Sequence, residues 1–320
     1  MTKITHSTMS KISVIIPVYG VEKYIERCAR SLFEQTLDDI EYLFIDDCSP
    51  DRSVDVLKQV LEEYPQRKTQ VTIHRMEKNS GQAAVRNYGV QHAKGDYVIH
   101  CDTDDWVDVH IYERLYSHAK TTDADIVVCD YYKVSGDEIQ IKIRQFDNSS
   151  KKALMTEVLT GEQLNTVWNA LVRRQLYKNI IYPVGAQAED KTYMIQLIWQ
   201  AKRVEHICEP LYYYRDNPAS ISNEVSVEAI IKRYWQYKKN QDVAICYLEK
   251  QGLLKKFKKQ IEAYKITAKM FLYYKYNNRE CRELWNQTYP EIKYSVLFNK
   301  YVILKVKILY FLTFFNIVKD

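Results

Sequence analysis

The chain has 320 residues, enough for one large domain or one domain with an extension, and its 46% apolar and 27% charged residues are ordinary for a globular protein. That composition excludes low-complexity, collagen-like and wholly disordered chains, and 8 Gly with 7 Pro are too few for an all-β protein made of many tight turns. The net charge of +5 is uneven: residues 221–320 carry 19 Lys and Arg against 9 Asp and Glu, the remainder 27 against 32, so a basic part and an acidic part do different work.

From residue 12 to about 130, short apolar runs alternate with amphipathic stretches. Strands are expected at Ile12–Val18, Glu41–Ile45, Val71–Arg75, Tyr97–Cys101 and Ile126–Cys129, and helices at Glu22–Gln35, Ser53–Tyr64, Gly81–Ala93 and Val109–Lys120. Strands this apolar are buried on both faces, as in a parallel sheet covered by helices, so the pattern predicts a doubly wound α/β sheet. Residues 131–220 read as mixed, with a polar stretch at 135–152, a segment Trp168–Arg174, a helix near Lys191–Ala201 and a strand near Val204–Cys208. From about residue 226 the pattern is helical, over Glu228–Lys250, Leu253–Tyr276 and Tyr294–Val318.

The seven Cys are odd in number and show no C-x-x-C spacing, which reads as reduced thiols in a reducing cytosol rather than a disulfide framework or zinc module. The start, Met1–Lys11, lacks the apolar core of a signal peptide. The charge-free run Ile308–Val318 is about half of the ~20 residues a spanning helix needs.

In a doubly wound sheet, ligands bind beyond the carboxyl ends of the strands, so the residues just after each strand matter most. Pro17-Val18-Tyr19-Gly20 follows the first strand, with neither G-x-G-x-x-G nor a P-loop, which disfavours dinucleotide and P-loop chemistry. Asp46-Asp47 ends the second; a base edge or ribose hydroxyl suits such carboxylates, while Ser49 or Asp51 caps the next helix. Asp102-Thr103-Asp104-Asp105 follows the fourth, and three carboxylates in four residues repel one another unless a cation neutralises them. Hard divalent cations such as Mg²⁺ or Mn²⁺ take oxygen ligands shared with phosphates; the competing reading is a solvated acidic turn. Arg86, on the helix from Gly81, faces either the crevice and a phosphate or solvent.

Several segments together resemble the family 2 glycosyltransferases, inverting nucleotide-sugar enzymes of GT-A fold. Residues 12–36 are similar to their opening strand and helix, YLFIDDCSPDRS to "DDGSTD", NSGQAAVRNYG to "N-x-G-x-x-x-A-R-N-x-G", and VIHCDTDDWV to the D-x-D segment. Trp168–Arg174 resembles "WNKLYRR", Ala188-Glu189-Asp190 the "ED" motif, and Leu211–Arg215 with Ser220-Ile221-Ser222 the "YYYR…SIT" segment. The resemblance spans residues 11–223 as a GT-A catalytic domain, with a nucleotide-sugar part over about 11–130 and an acceptor part over about 131–223; residues 224–320 form a basic helical extension.

The resemblance implies that Pro17 and Tyr19 line the base pocket, that Asp47 with Asp46 binds base or ribose, and that Arg86 supports the nucleotide. It implies Asp102 and Asp104 as the D-x-D, with Asp104 the direct ligand of Mn²⁺ or Mg²⁺. Asp190 is the catalytic base beside Glu189, and Asp105, Trp168 and Arg215 border the acceptor or diphosphate. The departures are Gly20 for the usual Asn, Cys48 for the usual Gly and Val85 for the usual Ala; Cys48 would narrow the nucleotide loop, because a residue with a Cβ disfavours positive φ.

The function implied is transfer of a sugar, from a UDP-sugar first, to a glycan or lipid-linked acceptor in bacterial surface-polysaccharide synthesis. A nucleotidyltransferase is the first alternative, against which Pro17–Gly20 supplies no Gly-rich basic loop; a non-catalytic glycan- or nucleotide-binding protein is the second. The lysines of 253–276 and 300–307 lie among Tyr, Phe and aliphatic residues. That mixture suits either a helical subdomain with solvated lysines or attachment to a membrane surface, here the inner face of the cell membrane for a cytoplasmic enzyme. No nucleic-acid module accompanies the charge.

Overall fold

The computed structural model describes residues 10–136, 138–146, 150–161, 164–216 and 226–315. The first apolar run forms β1 (Ile12–Val18), buried almost throughout as a central parallel strand must be. It pairs in parallel with β2 (Ile40–Asp46) and β4 (Tyr97–His100), and β2 pairs in parallel with β3 (Val71–Arg75). Pro17 has no amide to give the ladder. The β1–β4 register ends at Ile15↔His100, so the missing donor falls beyond that pairing.

Helices α1 (Ile25–Phe33), α2 (Ser53–Glu62), α3 (Gln82–His92) and α4 (Ile111–Thr122) alternate with these strands. α1 turns Ile25, Cys28, Ala29, Leu32 and Phe33 inward, the spacing of one helical face. α3 lies so close to β1 that a Cβ on Gly89 would stand 2.4 Å from Ile15 Cγ2.

After α4 the parallel series changes. β6 (Ile126–Ser135) does not join β4 directly; β8 (Ala170–Arg173) lies between them, antiparallel to both. β6 pairs in parallel with β9 (Val204–Arg215), and the two-residue β5 (Trp106–Val107) pairs antiparallel with β9. The order is β3-β2-β1-β4-β8-β6-β9-β5, with β7 (Glu138–Ile143) paired to β6 as a hairpin. Only β5, β7 and β8 run against the rest, so the sheet is mostly parallel, as the sequence pattern predicts. The polar stretch after residue 135 contributes β7.

Contacts divide the chain into two compact units. The first, drawn from residues 1–149, 166–179 and 200–217, contains the sheet and one large apolar core. The second, drawn from residues 150–165, 180–199 and 218–320, is helical. It holds α5 (Lys151–Thr160), nearly all of α6 (Glu189–Gln200), α7 (Val227–Lys250), α8 (Lys258–Tyr273), α9 (Arg279–Gln287) and α10 (Leu304–Phe314). A cluster including Tyr234, Leu272, Trp285 and Tyr310 is its core. The expected boundary near residue 223 therefore does not coincide with the units: α5 packs on α8, and Gln260 Nε2 donates to Thr156 Oγ1 at 3.1 Å.

The single helix expected over 294–318 is also corrected within the described residues. A 3₁₀ turn at Ser295–Phe298 is followed by Asn299, whose side chain donates to the Lys259 carbonyl (2.7 Å) and accepts from the Tyr301 amide (3.0 Å). Those bonds compete with helical pairing, and α10 begins only at Leu304.

Candidate active site

In the first unit the acidic groups stand at the carboxyl ends of β2 and β4, the two parallel strands that flank β1. Asp46 ends β2 and Asp47 follows it, both buried. Asp46 accepts the Ser49 amide at 2.8 Å and pairs with Arg75 at 2.7 Å. Asp47 accepts the amides of Ser80 (2.7 Å) and Gly81 (2.8 Å), one on each oxygen. One carboxylate thus fixes where α3 starts. Asp51 accepts the Ser53 amide (3.2 Å) at the start of α2, the capping role its position suggested.

α3 then carries Arg86 inward. Its side chain is 1% exposed and donates to Asp102 Oδ1 at 2.8 Å, which rules out the surface-arginine reading. Gln82 Nε2 reaches the same oxygen at 3.4 Å. His100, the last residue of β4 and two before Asp102, is held well below the usual imidazole pKa by burial and then by Arg86, which favours the neutral ring.

The acidic turn after β4 is tied down on both sides. Thr103 Oγ1 donates to the Pro17 carbonyl (2.9 Å), joining the ends of β1 and β4. Asp105 is 2% exposed; it accepts the Tyr212 hydroxyl and the Arg215 amide, each at 2.7 Å. Burial, followed by the nearby Asp104 and Asp102, pushes its carboxyl well above the usual range. The Asp102 amide donates to Tyr212 Oη (3.2 Å), and Arg215 Nε to the Asp104 carbonyl (3.1 Å). The Asp102–Asp105 turn and the end of β9 are thereby one hydrogen-bonded unit, continued by the β5–β9 pairing. Arg215 also lies over Trp106 and Tyr24, 5.1 and 5.2 Å from their ring centroids.

Tyr19 is half exposed beyond β1, followed by Gly20 at φ +65°. Cys48 does adopt the left-handed conformation at φ 62°, with Sγ 3.1 Å from the Met76 carbonyl. Trp168 is buried, stacked on Tyr212 (4.2 Å) and Tyr214 (5.6 Å). Trp168 thus packs in the core, and Asp105 commits one oxygen to the Tyr212 hydroxyl and the other to the Arg215 amide. Ser220-Ile221-Ser222 lies outside the described residues.

Glu189 and Asp190 belong to the second unit, on the first turn of α6, after Ala188 at φ 60°. The loop before them is gripped by Asn240 of α7, which sequence reasoning missed. Its Oδ1 accepts the amides of Val184 (2.8 Å) and Gly185 (3.3 Å), and its Nδ2 donates to the carbonyls of Gly185 (2.6 Å) and Gln187 (2.9 Å). Gly185 is required here: a Cβ would stand 2.8 Å from the Gln236 carbonyl oxygen. A buried Asn in a helical pattern reads in sequence like any solvated polar position, so nothing local announces it.

Asp102 and Asp104, two residues apart on a fixed turn, suit a hard cation. Asp102 keeps one oxygen uncommitted to Arg86 and Gln82. Among the described residues no three His, Cys, Asp or Glu side chains converge as a metal cage; a cation held by Asp102 and Asp104 would draw its remaining oxygens from phosphate and water, as Mg²⁺ does at phosphate sites.

A family model described as "Glycosyl transferase family 2" matches residues 13–181. "Uncharacterized glycosyltransferase EpsJ" of Bacillus subtilis (strain 168) is 32% identical over 263 residues, 79% of this chain and 74% of EpsJ. S. aureus TarS 1–349 in complex with UDP-GlcNAc shares the fold with TM-score 0.57 at 19% identity, over 88% of this chain and 90% of that one. The mannosyltransferase PcManGT from Pyrobaculum calidifontis, in complex with GDP-Man and Mn2+, gives TM-score 0.55 at 14% identity, over 96% and 87%.

Proposed function

The chain belongs to glycosyl transferase family 2 and is a glycosyltransferase; from that premise we propose that it moves a sugar from a nucleoside-diphosphate donor, UDP-linked first, to a hydroxyl of a glycan or lipid-linked acceptor, with inversion. The observation that carries this reading is the grouping of Asp47, Arg86, Asp102 and Asp104 at the ends of β2 and β4 and on the helix α3 that Asp47 fastens. Structural neighbours bound to UDP-GlcNAc and GDP-Man support a nucleotide-sugar donor, and the one with Mn2+ supports a divalent cation. Surface-polysaccharide synthesis at the inner face of the cell membrane is the setting proposed.

Asp47 and Asp46 hold the base and ribose end, with Pro17 and Tyr19 beside them. Arg86, locked by Asp102, sets the orientation of that carboxylate and adds positive charge near the diphosphate. A divalent cation bound at Asp102 and Asp104 would neutralise charge on the departing diphosphate. Arg215, anchored through its backbone to Asp105, adds a guanidinium at the same turn. Asp190, with Glu189 beside it, takes the acceptor hydroxyl's proton as the new bond forms, a general-base role open to a carboxylate in reach of that proton.

The test is Asp190→Asn. It should abolish transfer and leave donor affinity unchanged; near-normal turnover would reassign the base. In parallel, a panel of sugar nucleotides with Mn²⁺ should release nucleoside diphosphate, whereas pyrophosphate would point to nucleotidyl transfer.

A further inference from the structure

α10 is apolar on two faces. Val306, Tyr310 and Thr313 form the inner one, with Tyr310 1% exposed against Trp285 (5.2 Å between centroids) and the Tyr276 hydroxyl donating to the Thr313 carbonyl. The outer face repeats at i, i+4, i+7 and i+11 as Leu304, Ile308, Phe311 and Phe315, all exposed, with Leu304 at 71%. A helix lying on a core and facing water places polar residues there. The approach to the helix continues the pattern, with Phe298 85% and Ile303 65% exposed. Lys300 and Lys305 are exposed and Lys307 partly so, and the sequence from Lys293 to Phe315 contains no Asp or Glu.

We propose that this outer face of α10, with Phe298 and Ile303, docks on an anionic lipid surface: the apolar row enters the headgroup boundary and the lysines meet lipid phosphates. A row of large side chains rimmed by one sign of charge is the pattern of an interfacial helix. Charge selects lipid over a second copy of the chain, because pairing two such faces would bring their lysines together without a counter-charge. The helix lies on the bilayer and does not span it. Its 11 residues reach about 16 Å, against ~30 Å of hydrocarbon, and among the described residues no helix is long and apolar enough to cross. The inference deepens the membrane setting proposed above, yet its test involves neither donor nor turnover.

The full chain is floated with phosphatidylcholine vesicles with and without phosphatidylglycerol. It should float with the anionic vesicles and at least about 25-fold less with the neutral ones, the product of about fivefold for each of Lys305 and Lys307. Ile308→Ser/Phe311→Ser should cut flotation about tenfold; so should Phe298→Ser/Ile303→Ser, a second pair outside α10 that guards against misfolding of the first. Lys305→Gln/Lys307→Gln should weaken binding to anionic vesicles about fivefold per lysine at low salt and leave neutral vesicles unaffected. Thermal melts matching the parent chain confirm that the fold is kept. Absent flotation of the parent chain, or folded variants floating as it does, overturns the proposal. So does a dimer by light scattering that the serine variants dissolve, since the face would then belong to a second copy.

Discussion

Asn240→Ala removes the clamp on the loop that ends in Glu189 and Asp190. The carboxamide uses both donor hydrogens and accepts two amides, so its bonding capacity is filled. Val184 is exposed, so water can take over its amide. The remaining three bonds involve Gly185 and Gln187 around a side chain that is 0% exposed. At about 1 kcal/mol net for each bond, with more where a buried group is left unsatisfied, the loss is ~3–5 kcal/mol. At ~2–4 °C per kcal/mol for a large domain, the melting temperature should fall by roughly 6 °C or more. Because the proposed donor residues lie in the other unit, transfer should fall at least tenfold while donor affinity, read by calorimetry, stays within about twofold. A melting temperature within about 2 °C of the parent would refute the reasoning on the clamp. Parallel loss of donor affinity and transfer would refute the assignment of that loop to the acceptor side.

Three further outcomes are expected. Asp105→Ala strands the Tyr212 hydroxyl and the Arg215 amide and should cost ~2–5 kcal/mol by thermal melt; Tyr212→Phe should cost about 1, and the double variant much less than the sum of the two, because the shared bond is lost only once. Cys48→Gly should melt within about 1 kcal/mol of the parent, whereas Cys48→Val, β-branched at φ 62°, should lose ~1–2 kcal/mol. Lys191 lies buried with Nζ 3.5 Å from the Leu159 carbonyl, and burial lowers its pKa to about 7. Below that pH the folded chain carries the full cost of a buried ammonium. As pH rises from about 7 towards 10.5, the unfolded chain holds a proton the native one has shed, so stability from this group increases. Lys191→Met should flatten that rise in a pH series of melts and raise the melting temperature at pH 6.

The strands β1, β2 and β4 and the motifs at their ends are legible in the sequence because both faces are buried and the apolar runs are bounded by polar turns; β3, a partly exposed edge strand, is legible from its β-branched Val71, Thr72 and Ile73. β8 is not: four residues, Ala170–Arg173, carry no sign of direction or neighbour, so its insertion between β4 and β6 is set by tertiary packing. The two-residue β5 is likewise invisible, and without it Asp105 reads as one more acidic turn residue instead of an anchor between Tyr212 and Arg215. The motif makes Trp168 visible but not its packing, a buried ring stacked on Tyr212. α9 hides because its nine residues are mostly charged or polar; the cap that starts it, Asn278 accepting the Cys281 amide at 3.2 Å, is a detail of geometry. Cys48 takes positive φ although its Cβ disfavours it, so the loop's shape outweighs the residue's own preference.

The second unit is assembled from segments far apart along the chain, and this has a consequence for biosynthesis. α5 and α6 leave the ribosome with apolar residues such as Met155, Val158, Tyr193 and Leu197 that are buried in the folded chain; α5 packs on α8, and Thr192 of α6 donates to the Asn240 carbonyl of α7 at 3.1 Å, partners translated dozens of residues later. At ~5–20 residues per second, those residues wait several seconds uncovered, the interval in which a holding chaperone is most useful. A messenger cut at codon 223 would leave them bare for good, and the shortened product should partition into inclusion bodies rather than yield a minimal transferase.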